Sequence, residues 1–191
     1  MLKLLKKEEI QNVIDGLRTL RLSAFRKNAV QNKARVQIES LKTTYKDEIN
    51  HLIKDIFSGE QNIPPHLVPL SADIPQKWWI ARSGEYILGA VACWKENETW
   101  HWGRFVVDDR FRGLGIGKSL ARHSLNQMWQ ETDELQIDAR DTTVGILQNL
   151  GGEILGEKMD FYGMPVTPMR MTQQQFRGAG EPEELIIPIT Q

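Results

Sequence analysis

The chain has 191 residues, with 24 lysines and arginines against 25 acidic residues and a formal net charge of -1. That length suits one domain with a continuous core, and the near-neutral charge argues against a nucleic-acid stripe or a polybasic membrane surface as the main function. A single cysteine, Cys93, excludes an internal disulfide, and within "GAVACW" it reads as a buried structural thiol rather than a nucleophile.

The opening "MLKLLKKEEI" is basic but lacks the apolar core of a signal peptide, and no run approaches membrane-spanning length. A cytoplasmic protein without nucleic-acid or membrane partners is expected. Residues 1–5 suggest a short strand. Ile10, Val13, Ile14, Leu17 and Leu20 then recur at helical spacing, and a longer helical pattern carries Ile38, Leu41, Tyr45, Ile49, Leu52, Ile53 and Ile56 towards Gly59. Pro64, Pro65, Pro69 and Pro75 make residues 61–76 a stiff connector.

Three strand candidates follow, "WWIAR", "YILGAVACW" and "TWHWGRFVV", with "SGE" and "KENE" as hairpin turns between them. Leu120, Ala121, Leu125 and Met128 mark a helix, "LQIDA" a strand, and residues 143–150 a short helix stopped by Gly151 and Gly152. "EILGEKMDF" and "PVTPMRMT" read as two more strands. A polar tail from Gln173 ends in the apolar piece "ELIIPITQ", an edge strand, a segment that docks on a partner, or a disordered end. The fold expected is an α/β (α+β layered) one, with helices around a mixed sheet, a single domain over residues 1–172 and a tail over 173–191. The scattered histidines, His51, His66, His101 and His123, have no ligand spacing, so no metal is expected.

Between a strand-like run and a helix-like run lies "RGLGIGKS". A P-loop needs a glycine where Arg112 stands. The dinucleotide fingerprint G-x-G-x-x-G fails at Lys118 counted from Gly113, and at Leu120 counted from Gly115. What the stretch does satisfy is R-x-x-G-x-G, Arg112 to Gly117. A strand entering a helix through such a turn leaves backbone N–H groups unpaired at the positive helix end, where a diphosphate can accept them. Glycine lets the anion approach those amides and allows positive φ.

"RFVVDDRFRGLGIGKSLARHSL" resembles the coenzyme A binding core of the GNAT N-acyltransferase superfamily, and the order of elements over residues 1–172 resembles it too. The resemblance implies a mostly antiparallel central sheet flanked by helices, and direct acyl transfer, most often acetyl from acetyl-CoA, to the amine of a small-molecule or peptide acceptor. It implies a monomer or homodimer. It assigns Arg112, Gly113, Leu114, Gly115, Ile116, Gly117, Lys118 and Ser119 to the coenzyme's diphosphate. It also implies that Phe105, Val106 and Val107 bulge and pair with the pantetheine arm, leaving an amide near Phe105 or Val106 aimed at the thioester oxygen.

Chemistry of this kind calls for a base and an acid. Glu98 and His101, before the bulge on the same strand, are candidate bases, and Asp138 is a polar residue near the splay. Many members of the superfamily place a tyrosine acid in N-x-x-A-x-x-L-Y-x-x-x-G-F; here that stretch is "RDTTVGILQNLGG", with Arg140 for the asparagine, Leu147 for the tyrosine and Gly152 for the phenylalanine. Tyr162, the next tyrosine, is the substitute candidate. Besides an N-acyltransferase, two classes stay open: a catalytically silent or regulatory coenzyme-binding module, favoured by Leu147, and a nucleotide-hydrolysing protein, opposed by Arg112.

Overall fold

The computed structural model describes residues 34–41, 70, 73–84, 86–178 and 186–187. The strand expected at residues 1–5, the helix over 10–20 and most of the second helix and the proline-rich connector lie outside them. The chain divides into two units, Met1–Arg35 with Ile186–Gln191, and Val36–Leu185. In the first, β1 (Ala34–Arg35) pairs antiparallel with β10 (Ile186–Ile187).

The second unit is built on one sheet. Its strands are β2 (Gln37–Ser40), β3 (Gln76–Ser83), β4 (Tyr86–Glu96), β5 (Thr99–Val107), β6 (Glu134–Ala139), β7 (Glu153–Ile154), β8 (Met159–Phe161) and β9 (Met164–Thr172). They lie in the order β2-β3-β4-β5-β6-β9-β7, with β8 also on β9. Every pairing is antiparallel except β5 with β6. Helix α1 (Ile116–Met128) joins β5 to β6, and α2 (Asp141–Asn149) follows β6. The mixed, mostly antiparallel sheet with helices is the fold class expected.

The pattern explains the layering. In β4, Leu88, Ala90, Val91, Ala92 and Cys93 are all inaccessible to solvent, so both faces of this strand are covered. One cover is α1, whose Ile116, Leu120, Ala121, Leu125 and Met128 recur at helical spacing and are buried, and which packs on β3, β4 and β5. Each such leucine stabilises the fold by about 1.5 to 3 kcal/mol. Trp102 is buried beneath α1, its Nε1 donating to Ser124 Oγ at 2.9 Å, which satisfies the polar atom at each end.

Two expectations are corrected. Ile38 and Leu41 do not start a helix: Gln37–Ser40 is a strand whose Ile38 faces Ala81 of β3, and Leu41 donates its N–H to Trp78 O at 2.9 Å. Pairing with the edge of β3 overrides a local apolar spacing that fits a helix. "EILGEKMDF" is two strands rather than one. Ile154 faces Met169 and Met159 faces Val166, leaving residues 155–158 opposite only Thr167 and Pro168. Proline has no N–H to continue that ladder, so the strand breaks there, and Leu155 donates to Pro168 O at 2.9 Å.

Candidate active site

The site begins with a fault in β5. Ala92 faces Gly103 and Ala90 faces Val106, so Arg104 and Phe105 together oppose Val91 alone. This is a β-bulge, centred one residue earlier than the sequence suggests, with Arg104 at φ 51°. Positive φ on a non-glycine residue is uncommon and costs free energy. The Arg104 guanidinium lies 5.7 Å from the Trp94 ring centroid, and burial pulls its pKa below the ordinary value. Small residues make room. A Cβ on Gly103 would meet Trp94 Cη2 at 3.0 Å, and one on Gly89 would meet the Val106 carbonyl oxygen at 2.7 Å.

Beyond the bulge the sheet opens. The parallel pair β5 and β6 is in register at His101 with Gln136 and is not paired further on. Their C-terminal ends diverge, and each runs into a helix. On the β5 side, Asp108 N donates to Leu88 O at 2.9 Å, extending the strand by one bond. Asp108 then caps a single 3-10 turn, Asp109–Phe111, accepting from Arg110 N and from the Arg110 guanidinium. Burial pushes the Asp108 carboxyl up, but the bonds from Arg110 outweigh it and hold the pKa below the usual carboxylate range. Arg112 Nε donates to Val107 O at 3.1 Å, closing the loop.

Gly113 at φ 79° and Gly115 at φ 82° carry the chain in the left-handed region, and Gly115 is the N-cap of α1, with no side chain on the helix's first amides. Around a Gly113 Cβ there would be open space, so its glycine answers to backbone conformation rather than crowding. On the β6 side, Arg140 is the extended N-cap of α2.

These pieces enclose one cavity of about 510 Å³. Of the residues the sequence assigns to the coenzyme, Phe105, Val106, Val107, Arg112, Gly113, Gly115, Ile116, Gly117 and Lys118 line it, while Leu114 and Ser119 do not. Phe111, Arg140, Thr142, Thr143 and Ile146 complete the wall. The sequence reading assigned none of these to the site, although Arg140, Thr143 and Ile146 occupy the spaced N, A and L positions of the family stretch, one helix face by spacing. The next position, Leu147, is wholly buried in the core.

The catalytic candidates stand elsewhere. Glu98 is in the β4–β5 turn with its side chain 91% exposed, and its carboxylate accepts from Lys95 Nζ at 2.6 Å, which lowers its pKa. His101 is stacked on Trp94 with ring centroids 5.5 Å apart. Tyr162 is in the β8–β9 turn at φ 52°, 51% exposed, edge-on to Phe161. None of the three lines the cavity. Asp138 is exposed on β6 and does not line it either. Among the described residues no group of three or more His, Cys, Asp or Glu side chains could hold a metal, and no helix is long and apolar enough to cross a membrane.

The family model of the GNAT acetyltransferase domain matches residues 69–173. The chain belongs to the GNAT acetyltransferase family. No curated protein matches it. Among solved structures, this GNAT chain is similar to ElaA from Escherichia coli, with a TM-score of 0.62, 18% identity, and 71% of this chain and 98% of that one covered. FeeM, an N-acyl amino acid synthase from uncultured soil microbes, has a TM-score of 0.62 at 12% identity, covering 75% of this chain and 96% of its own. An acetyltransferase of Bacillus subtilis in complex with CoA has a TM-score of 0.52 at 15% identity, covering 72% and 98%. Identities this low show the shared fold. Membership of the family supports an acyltransferase.

Proposed function

We propose that the protein is an acyl-CoA-dependent N-acyltransferase that moves an acetyl group directly from acetyl-CoA to the amine of a small-molecule or peptide acceptor. The observation that carries the reading is that bulge, splay and glycine turn meet in one cavity. The fit is physical. The left-handed turn at Gly113 and Gly115 leads into a helix of 13 residues with no side-chain cap, an N-terminus whose backbone amides suit a diphosphate. Bound there, the coenzyme supplies an activated thioester. Arg112 and Lys118 add charge for its phosphates, and the edge of Phe105–Val107 that faces the splay offers backbone groups to the pantetheine arm. An amide at the bulge polarises the thioester carbonyl, and its hold strengthens as negative charge develops.

The same reading leaves the acceptor to be found by assay. It also places the protein in the cytoplasm, as a monomer or homodimer. A second reading, a coenzyme-binding module without turnover, is favoured by Leu147, which stands buried where a phenol is expected.

Thermal melting with CoA tests the shared part. Coenzyme at about one hundred times its dissociation constant is expected to add roughly 2.7 kcal/mol, a rise on the order of 5 to 10 °C. No rise at millimolar coenzyme sinks both readings. Thiol release from acetyl-CoA across an amine panel then separates them: turnover supports the transferase, and binding without turnover supports the module.

A further inference from the structure

The outer edge of the sheet carries a surface that the cavity does not use. Residues 153–163, through β7, β8 and the turn into β9, are exposed without a break. Among the described residues the exposed large hydrophobic side chains all fall in this run: Ile154, Leu155, Met159, Phe161 and Tyr162. Single apolar side chains on a surface need no explanation, but a cluster of them along a strand edge marks a place where another chain can pair. The backbone of β8 says how a partner strand would lie. Tyr162 and Gly163, at φ 52° and 78°, form the two-residue turn whose closing pair, Phe161 with Met164, is hydrogen-bonded. Bonding alternates along such a hairpin, so Phe161 and Met159 turn their N–H and C=O groups to β9, and Asp160 turns its own outward.

We propose that a second copy of this chain docks on β8 by antiparallel strand pairing about a two-fold axis at Met159, making a homodimer with a continuous sheet. Charge complementarity carries the choice of occupant. Lys158 and Asp160, of opposite sign, flank Met159. A lone charge on an edge strand keeps other strands away, but a plus and a minus placed evenly about a two-fold axis complement themselves. With Met159 opposite Met159, each Asp160 faces the other copy's Lys158, and the outward backbone groups of Asp160 bond to that lysine's. Met159 and Phe161 of both copies then share the opposite face, where such cross-strand apolar neighbours stabilise a sheet. Centring the pairing on Asp160 instead would set two carboxylates against each other. The contacts already made by these side chains persist: Lys158 Nζ is 2.8 Å from an Asp141 carboxylate oxygen, and Asp160 Oδ2 accepts from Gly163 N at 3.1 Å. An ammonium has three donors and a carboxylate two oxygens, so each can serve a second partner. None of these residues lines the cavity, so the dimer stands independently of the acyl-CoA reading.

The test is sedimentation of the full chain across a concentration series, with melting curves to show that each variant folds. Wild type is expected to reach twice the chain mass of 22.0 kDa. Asp160→Lys and Lys158→Asp should each raise the dimer dissociation constant about 10- to 100-fold, because both cross-copy ion pairs become like-charge pairs. The double variant should return it to near the wild-type value. Met159→Cys should give a disulfide-linked dimer under mild oxidation, since residues facing each other in a non-hydrogen-bonded pair lie about 4.5 Å apart between Cα atoms, within disulfide reach. Asp160→Cys should not. Cys93 is buried and adds no link of its own. A dimer that ignores both charge reversals and is not linked through Met159→Cys overturns the proposal, and so does a monomer mass at every concentration. A monomer whose Asp160 amide is protected from hydrogen exchange only on adding an extended apolar peptide overturns it in favour of a peptide partner.

Discussion

A Cβ on Gly117 would lie 3.1 Å from Cζ of Phe105, so the second residue of α1 and the bulge of β5 are in direct register across the cavity wall. Phe105 has little room to retreat. Its ring packs on Trp102 at 5.1 Å between centroids, and Trp102 is fixed in the core by Ser124. Gly117→Val is therefore expected to overpack the wall by about 1 to 3 kcal/mol, a fall of roughly 2 to 10 °C in melting temperature. Adding Phe105→Leu should recover at least half of the loss. Strict additivity of the two changes in a thermal double-mutant cycle would mean that this contact is not the cause.

Gly115 is a matter of φ and of access. Tryptophan at φ 82° costs roughly 1 to 2 kcal/mol, and its side chain would stand at the cavity lining. Gly115→Trp should leave the circular dichroism spectrum unchanged and reduce CoA affinity by at least a hundredfold in calorimetry. Arg112→Ala should cost less, since the turn's amides remain. Normal coenzyme binding by Gly115→Trp would show that the diphosphate lies elsewhere.

Asp108 links the loop to pH. Its carboxyl has a depressed pKa in the folded protein, so the stability it contributes is present above the unfolded value, about 3.9, and is lost as pH falls through the lower folded value. Asp108→Asn keeps a capping side chain but loses the charge. It is expected to melt lower at pH 7, by about 1 kcal/mol once the partial exposure of Arg110 is discounted. It should also show a shallower loss of stability than wild type below about pH 4. Parallel melting curves of the two proteins from pH 7 to pH 2 would refute the assignment.

Cys93 is wholly buried in β4, and burial raises its thiol pKa well above the ordinary value. It should not react with a disulfide reagent in the native protein, and should react stoichiometrically once the protein is unfolded in guanidinium. Rapid native labelling would show that β4 opens on the timescale of the assay.

The sheet order of the second unit was not legible in the sequence, though most of its elements were. "TWHWGRFVV" alternates well enough to give β5 its ends, and the glycines between it and Leu120 mark the turn into α1. Those signals are local, because a strand's period and a glycine's φ are set by a residue and its near neighbours. Ile38 misled for the same reason, since a run of apolar residues at helical spacing carries no information about the β3 edge that claims its first member.

The glycine turn, the strand before it and the family they point to were therefore legible in the sequence itself. Only the tertiary structure decided that Arg140, Thr142, Thr143 and Ile146 face the same cavity, because that depends on β5 and β6 pairing at His101 and Gln136 and then parting. It also decided that Glu98 and Tyr162 sit in exposed turns and that Leu147 belongs to the core. Long-range pairing and burial are properties of the packed chain, set by what each strand's neighbours leave uncovered, and no single stretch of residues encodes them alone.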